Sequence, residues 1–365
     1  MKFRAEREAL ADAVGTAQRA VASRTGALPV LSGLRVTLGA GSVELVGSDL
    51  EMTIRVTTPV QGEGEGSAVL PARLFADILS RLDGDIVTVE LVGEDARIEA
   101  GRFATTLRTL SVGEFPRLPE VPAGGVRVDG AALAESLRQV VPAASRDDAR
   151  PILTGVLLAA NDGGLRLVAT DSYRLAMRDL PGVSMLAGDQ RVLVGAKGLA
   201  EVQRLLRDGD IEVFLSERDV AFRVGSADIT TRLIEGEFPN YQQLIPTEYP
   251  NRLVVGRDAL GAAVNRVRLV SQSRDTAPIR IRMTPDGIEL SAVAQDIGEA
   301  HESVEATFDG GELTVAFNAQ FLLDGIESVG GTEIVLETQD PLRPAVMRNL
   351  EAPDFLYLLM PVRIA

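Results

Sequence analysis

The sequence predicts an α+β protein that contains one domain three times. The tetrapeptide GEFP occurs at Gly113 and again at Gly236, an offset of 123 residues. The segments LPVLSGL and RPILTGV repeat at nearly the same offset, since Pro29 and Pro151 are 122 residues apart. Self-similarity at a fixed spacing indicates a repeated structural unit. We therefore expect the 365-residue chain to end in a third, more diverged copy that lacks GEFP.

An amphipathic helix opens each copy, and a second, shorter helix follows later. Apolar residues spaced i, i+4 and i+7 lie on one helix face. In the first helices they are Leu10, Val14 and Ala17; Leu133, Leu137 and Val140; and Leu260, Val264 and Val267. The second helices should begin near Ala72, Ala196 and Ala319, with Phe75, Ile78 and Leu82; Leu199, Val202 and Leu206; and Leu322, Ile326 and Val329 facing inward. Pro142 should end or kink the first helix of the second copy.

Alternating strands, such as the one containing Leu34 and Val36, separate the helices and lead into a polar bend. The bend places Asp49, Asp171 and Asp296 at the same point of the three copies, where an aspartate can cap the turn through its own backbone. Helix, strands, helix and strands in each copy indicate an α+β domain. Pro/Gly-rich segments suggest domains at residues 1–122, 123–250 and 251–365, which would form an arc.

The composition excludes several classes of site. The chain has no cysteine and a single histidine, His301, so disulfides, thiol chemistry, Cys-based zinc sites and His-pair metal sites are not expected. GEGEGS has acidic residues that repel phosphate, and VGAKGL lacks the spacing of a phosphate-binding loop. No cofactor or metal is therefore expected. One enzymatic alternative stays open: nucleotide or sugar chemistry with carboxylates on the repeated α+β scaffold.

The beginning of the chain, MKFRAEREAL, is charged where a signal peptide is apolar, and no run of 18 apolar residues occurs. We expect a soluble, cytoplasmic protein with no membrane partner.

The charge distribution allows two interpretations. A net charge of −15 argues against nucleic acid, but among 37 basic residues only Lys2 and Lys197 are lysines. An excess of arginine can reflect base composition of the gene, or it can serve phosphate contacts. The loops after the three first helices each contain an arginine four or five residues before the proline that follows, namely Arg24, Arg146 and Arg274. Further basic residues occur on predicted helices: Arg19, Arg73, Arg81, Arg138, Lys197, Arg204, Arg207, Arg266 and Arg268. Three arginines at one place in three stacked domains would line one face of the arc.

Only the middle copy places Tyr173, Arg174 and Leu175 after the bend aspartate. Either the tyrosine packs on its own sheet, or the bend presents it to a partner.

The motifs MKF…ERE, LPVLSGL, VATDSYRLA, GEFPNYQQLIP and YLLMPVRIA occur in order along the whole chain. Together they resemble the bacterial DNA polymerase III β subunit family, the sliding clamps. The resemblance implies a head-to-tail homodimer of six clamp domains that encircles double-stranded DNA without sequence specificity, with helices lining the ring and antiparallel sheets outside. It implies a processivity factor without catalytic activity, opened by an ATP-driven clamp loader, that tethers replicative polymerases and repair proteins through short peptide motifs.

The resemblance also assigns residues. The partner-peptide groove maps to Leu153, Thr170, Ser172, Tyr173, Arg174, Leu175, Pro239, Leu244, Asn318, Met360, Pro361, Val362 and Arg363. DNA contacts map to Arg24, Arg146, Arg274, Arg73 and Lys197. At the dimer interface, Thr105 and Leu107 should face Leu269 and Val270 of the second protomer, with Arg102 and Arg108 near Glu299 and Glu302. Many family members have Gly-His in place of Ser172-Tyr173, and some have arginine in place of Gln243.

Overall fold

The computed structural model describes residues 1–22, 28–122, 124–207, 209–271, 278–294 and 297–363. The chain divides into two compact units. Unit 1 comprises Met1–Gly130 and Ala200–Leu233, and unit 2 comprises Ala131–Leu199 and Ile234–Ala365.

The helices confirm the predicted periodicity. Within the described residues they are α1 (Arg7–Ala17), α2 (Ala72–Arg81), α3 (Gly130–Val140), α4 (Ala196–Leu205), α5 (Arg257–Val267) and α6 (Ala319–Val329). The second helix of each repeat thus begins at the predicted alanine, and the predicted stripes of the first helices are buried. Helix α3 ends at Val140, and a short 3₁₀ helix that contains Pro142 follows. No α-helix in the described ranges is both long and apolar enough to span a membrane.

Antiparallel strands form the rest of the fold. Those of the first repeat are β1 (Lys2–Glu6), β2 (Gly33–Leu38), β3 (Ser42–Ser48), β4 (Met52–Pro59), β5 (Gln61–Glu63), β6 (Gly66–Pro71), β7 (Ile86–Val92), β8 (Asp95–Ala100) and β9 (Phe103–Arg108). Those of the second are β10 (Val126–Asp129), β11 (Gly155–Asn161), β12 (Gly164–Thr170), β13 (Arg174–Pro181), β14 (Arg191–Gly195), β15 (Asp210–Leu215), β16 (Asp219–Val224) and β17 (Ala227–Arg232). Those of the third are β18 (Asn251–Gly256), β19 (Pro278–Thr284), β20 (Gly287–Ala294), β21 (Gly298–Val304), β22 (Ala306–Asp309), β23 (Leu313–Asn318), β24 (Glu333–Thr338), β25 (Ala345–Asn349) and β26 (Ala352–Leu359).

Unit 1 contains two sheets. The smaller has the strand order β5-β1-β7-β8-β9, so β9 is an edge strand among the described residues. The larger has the order β10-β15-β16-β17-β4-β3-β2-β6. Its central pair joins β4 of the first repeat to β17 of the second, with Ile54 opposite Ile229. One sheet therefore continues from the first repeat into the second.

Unit 2 repeats this arrangement. Its larger sheet has the order β14-β11-β12-β13-β26-β25-β24-β18-β22, and its smaller sheet has the order β21-β20-β19-β23. Strand β13 of the second repeat pairs with β26 of the third, with Ala176 opposite Tyr357. Helices α5 and α6 pack together, and α6 also packs on β25 and β26. Tyr357 and Phe355 are fully buried in this layer. The bend between β12 and β13 lies beside this shared sheet and positions the candidate site.

Candidate functional site

The bend between β12 and β13 is held by its own side chains. The Asp171 carboxylate accepts hydrogen bonds from the backbone N–H groups of Tyr173 (2.9 Å) and Arg174 (3.0 Å). The Thr170 hydroxyl donates to the Arg174 carbonyl (2.6 Å) and accepts from the Ser172 N–H (3.2 Å). Ser172 has a positive φ of 81°, a conformation that this local network must stabilise.

The first repeat has the same bend, which confirms the predicted role of the aspartate there. Asp49 accepts from the N–H groups of Glu51 (3.1 Å) and Met52 (2.8 Å), and Leu50 has a φ of 75°. Asp296, the predicted third member, lies outside the described residues. The aspartate therefore builds the bend in both described copies, and the residues after it distinguish them.

In the second repeat the bend separates two neighbouring side chains. The Tyr173 side chain is exposed, with 59% of its surface accessible, whereas Arg174 is only 9% accessible. Leu175 and Thr170 are buried. The structure thus answers the question left by the sequence, because Tyr173 does not pack into its own sheet.

The buried guanidinium of Arg174 joins four segments of unit 2. Its Nε donates to Asp171 Oδ2 (3.0 Å), and one Nη donates to the carbonyl of Pro142 (2.6 Å). The other Nη bonds to Asp324 Oδ2 on α6 and to the Tyr357 hydroxyl on β26 (3.4 Å). A charge this deeply buried requires such complete pairing.

An aromatic pair covers this network. The rings of Tyr173 and Phe321 stack with centroids 6.3 Å apart and an interplanar angle of 26°. The Arg174 guanidinium carbon lies 4.5 Å from the centroid of the Phe321 ring, within cation–π range. Tyr357 donates its hydroxyl hydrogen to the Phe321 carbonyl (2.9 Å), and burial raises the pKa of this phenol, which keeps it protonated. Phe321, Asp324 and Tyr357 were not predicted as site residues.

An apolar cluster lies on the sheet beside the bend. Its buried members are Leu157, Val168, Leu175, Leu193, Tyr241, Val346, Leu356 and Leu358. Partly buried Met177, Phe238, Ile245 and Met360 pack against it. The structure therefore places Leu175 in this apolar cluster and Met360 against it; both are predicted groove residues.

The C-terminal segment continues along the bend. The Met360 N–H donates to the Tyr173 carbonyl (2.8 Å), and the Val362 N–H donates to the Ala316 carbonyl of β23 (2.7 Å). Pro361 is half-buried between them, and Arg363 is exposed. These bonds hold Met360 next to Tyr173 and Val362 next to β23.

Other predicted groove residues have different environments. Leu153 is buried in the 3₁₀ helix Pro151–Thr154, whereas Leu244 and Pro239 are exposed. Asn318 is the N-cap of α6, and its side chain accepts from the backbone N–H groups of Gln320 and Phe321.

Sequence reasoning also missed Arg150, whose guanidinium contacts the Ser172 hydroxyl (3.3 Å) and pairs with Asp147 (2.9 Å). The only signal in the sequence was its position directly before Pro151, and that is not specific.

Of the basic residues predicted to contact DNA, Arg24 and Arg274 lie outside the described residues. Arg146, Arg73 and Lys197 are exposed. Several further helix arginines form ion pairs with the protein's own carboxylates. These pairs are Arg19–Glu201, Arg81–Asp77, Arg138–Glu135, Arg204–Glu201 and Arg266–Glu302. Their charge is partly neutralised before any phosphate approaches.

The predicted dimer residues lie at sheet edges or on the surface of their units. Thr105 and Leu107 belong to β9, the edge of the smaller sheet in unit 1. Leu269 lies in the 3₁₀ helix Arg268–Ser271 that follows α5, and 60% of its surface is accessible. Val270, next to it, is half-buried. Because its apolar side chain is exposed, Leu269 is a candidate contact residue.

Comparison with known proteins finds matches along the entire chain. Family models match residues 1–119 (DNA polymerase III beta subunit, N-terminal domain), 127–240 (central domain) and 242–363 (C-terminal domain). The Beta sliding clamp of Streptomyces coelicolor is 35% identical over 384 residues that cover 100% of both chains. The crystal structure of the DNA polymerase sliding clamp from Bacillus subtilis matches with a TM-score of 0.92 and 27% identity, again over 100% of both chains. A Pseudomonas aeruginosa sliding clamp bound to griselimycin matches over 100% of both chains with a TM-score of 0.90 and 28% identity.

The repeated fold and these matches define a DNA sliding clamp, a processivity factor and not an enzyme. The chain belongs to the DNA polymerase III beta subunit family. The alternative of a carboxylate enzyme on the same scaffold is therefore not supported.

Proposed function

We propose that the bend of the second repeat, the adjoining apolar cluster and the C-terminal segment form the groove through which this clamp holds its partners. Those partners would be DNA polymerase subunits, the clamp loader and repair proteins that carry short peptides with apolar and aromatic anchors. One observation carries the proposal: the exposed Tyr173 lies directly beside the backbone of Met360, which packs on the apolar cluster. Peptide-binding sites combine such apolar surface with nearby backbone polar groups.

The equivalent surface of the first repeat is charged, which supports a single groove per chain. At the offset of 122 residues, Leu157, Arg166 and Met177 correspond to Arg35, Glu44 and Arg55. Glu44 forms ion pairs with both of these arginines (3.4 and 3.9 Å). The Arg35 guanidinium also lies 5.3 Å from the ring centroid of Phe115, whose counterpart Phe238 packs on the apolar cluster in the second repeat.

This difference provides the test. Met177→Arg introduces into the second repeat the residue type found at the equivalent place in the first. We expect a fluorescein-labelled peptide with a leucine and a phenylalanine anchor to lose measurable binding in an anisotropy titration. The matched control, Arg55→Met, should bind the peptide as the wild type does. Wild-type affinity of the Met177→Arg variant would contradict the groove assignment.

The internal pairing of the repeats supports a way of closing the ring. Strands β4, β13 and β21 are equivalent in the three repeats, and so are β9, β17 and β26. Because β4 pairs with β17 and β13 pairs with β26, only β21 and β9 are left, and both are edge strands in the described sheets. Unpaired edges are association sites, and two equal head-to-tail contacts close a dimer. We propose that β9 of one protomer pairs with β21 of the next, and that three domains per chain, at residues 1–122, 123–250 and 251–365, complete a ring of six.

We propose a register for this pairing from the equivalent pairs inside the chain. Thr105 corresponds to Ile229, and Ala300 corresponds to Ile54 and Ala176. Because Ile229 lies opposite Ile54 inside the chain, we propose that Thr105 lies opposite Ala300 of the next protomer. Pairs within the hairpins establish this equivalence. The pair Asp95–Arg108 corresponds to Asp219–Arg232. The pairs Gly47–Ile54, Ala169–Ala176 and Ala292–Ala300 correspond to one another. Leu107 then lies opposite Gly298, and Phe103 opposite Glu302.

Cross-strand partners point to the same face of a sheet. Glu302 contacts Arg266 of α5, so its face is the helix side, where Leu269 and Val270 follow α5. The proposed register therefore brings Leu107 to the side of Leu269, in agreement with the interface assigned by resemblance. It also places Arg108 diagonally across from Glu299. In this register Arg102 lies on the sheet face opposite to that of Glu302. To form the predicted contact, the Arg102 side chain would have to extend across to the other face.

A cleft in unit 1 provides a receptor for the exposed leucine. The cleft measures about 650 Å³, and its apolar lining includes Leu74, Ile78, Leu82 and Phe103. We propose that it receives Leu269 of the next protomer.

For DNA, we propose encirclement with weak phosphate contacts from Arg24, Arg146, Arg274, Arg73 and Lys197. A net charge of −15 opposes strong binding to the outer surface. Contacts to phosphate position a protein without reading sequence, which suits sliding. A protein with this task acts where chromosomal DNA lies, and we therefore infer that the clamp functions in the cytoplasm.

A further inference from the structure

Arg174 belongs to the predicted groove by resemblance, yet its surroundings are those of an internal support. Its guanidinium makes hydrogen bonds to Asp171, Pro142, Asp324 and Tyr357, and its flat face lies against Phe321. With four donated bonds and 9% accessibility, it has little capacity left for a bound peptide. Its role must therefore be sought in what it holds in place.

What Arg174 holds is the first turn of α6. The Asn318 side chain caps this turn by accepting from the N–H groups of Gln320 and Phe321. Gln320 donates from its side chain to Asp324 Oδ1 (2.7 Å), while Arg174 bonds to the other oxygen of the same carboxylate. The Tyr357 hydroxyl accepts from Arg174 and donates to the carbonyl of Phe321. The N–H group, the carbonyl and the ring of Phe321 are thus each held by a different contact.

Two planar groups contact the Phe321 ring. The Arg174 guanidinium carbon lies 4.5 Å from its centroid, and the Tyr173 ring stacks on it with centroids 6.3 Å apart. Tyr173 is the exposed member of these three groups. Aromatic rings prefer stacked or edge-to-face partners over aliphatic ones, and a platform that is already rigid loses little conformational freedom on binding.

We propose that Arg174 is a positioning residue that acts with Asp324 and Tyr357 to hold the Tyr173–Phe321 pair as a rigid aromatic wall, and that this wall selects partner peptides with an aromatic anchor. The proposal rests on the groove proposed above and adds its specificity. Arg174 acts through Phe321 and Tyr173, and these two rings contact the peptide.

The test compares two fluorescein-labelled peptides, one with leucine and phenylalanine anchors and one in which leucine replaces the phenylalanine. The wild type should prefer the phenylalanine peptide by about two- to tenfold, the range of an aromatic pair interaction. Tyr357→Phe removes only the hydroxyl that links Arg174 to Phe321. Arg174→Lys keeps the charge but loses the planar fork and the stacking face. Both variants should lower the preference to below about twofold, with affinity for the phenylalanine peptide falling most.

A matched control lies in unit 1, where Arg223 stacks on Phe214 (5.2 Å) and pairs with Asp228 (2.8 Å). Arg223→Lys should keep the wild-type preference. Thermal unfolding and dimer mass are measured for every variant, and Tyr357→Phe remains informative if Arg174→Lys does not fold. An unchanged preference in Tyr357→Phe, or an equal loss of affinity for both peptides, would overturn the proposal. If the wild type binds neither peptide, the groove itself is misassigned and the selectivity proposal fails with it.

Discussion

Shortening Leu269 to alanine tests the proposed ring closure quantitatively. Burying a whole leucine side chain stabilises by about 1.5–3 kcal/mol. Leu269 is 60% accessible in its own unit, so seating it in the cleft of unit 1 should contribute about 1–1.5 kcal/mol beyond what an alanine retains. A head-to-tail dimer contains two such contacts. The loss per dimer is therefore about 2–3 kcal/mol, which raises the dissociation constant roughly 30- to 150-fold.

The assay is the mass distribution of the variant over a dilution series, compared with the wild type. Leu342→Ala is the matched control, because Leu342 is equally exposed (63%) but lies in neither proposed contact. Replacing both Leu269 and Val270 by aspartate should give monomers, because two apolar contacts are then replaced by two charges that must be desolvated on association. A dissociation constant of Leu269→Ala within about threefold of the wild-type value, together with a dimeric double variant, would refute the interface.

Three further predictions concern other parts of the chain. Deleting the residues from Met360 onward should abolish peptide binding in anisotropy titrations while size exclusion still shows a dimer; retained affinity would place the groove elsewhere. Asn318→Ala removes the N-cap of α6 and should cost about 1 kcal/mol, or a fall of roughly 2–4 °C in calorimetric melting temperature, and an unchanged melting curve would contradict this role. Replacing Arg24, Arg146 and Arg274 together by alanine should reduce the salt dependence of DNA binding by about 0.9 in log–log slope for each phosphate that is no longer neutralised, and an unchanged slope would exclude them as phosphate-binding residues.

The helices and bends could be predicted from the sequence because each depends on nearby residues. The stripe of Leu133, Leu137 and Val140 specifies one face of α3, and Pro142 follows the end of that helix. Asp171 caps its bend through N–H groups two and three residues later. Such interactions are encoded in a few consecutive residues, so spacing alone identifies them.

Pairing between repeats could not be predicted in the same way. The alternation in β4 and β17 marks each as a strand but does not identify its neighbour, because many apolar strands are compatible with one edge. The partnership of Ile54 with Ile229 appears only in the assembled sheet.

The groove contains residues that the sequence could identify and residues that it could not. Tyr173 could be singled out because only one of three copies carries it after the aspartate. Its stacking partner Phe321 could not, and neither could Asp324, which lies 150 residues from Arg174 in the chain. Arg174 itself was assigned as a groove residue by resemblance, but only the structure shows that its charge is used internally.

The central claim, that this clamp is held on DNA by encirclement, is tested most directly by retention on DNA of two topologies. The protein is loaded onto closed circular DNA by a clamp loader with ATP, separated from free protein, and the circle is then cut once. Because the net charge of −15 and the internal ion pairs leave only weak phosphate contacts, we predict that the clamp persists on the closed circle and dissociates from the linear form within the time of cutting. Equal retention on the closed and the linearised DNA would show ordinary surface binding and would contradict the account.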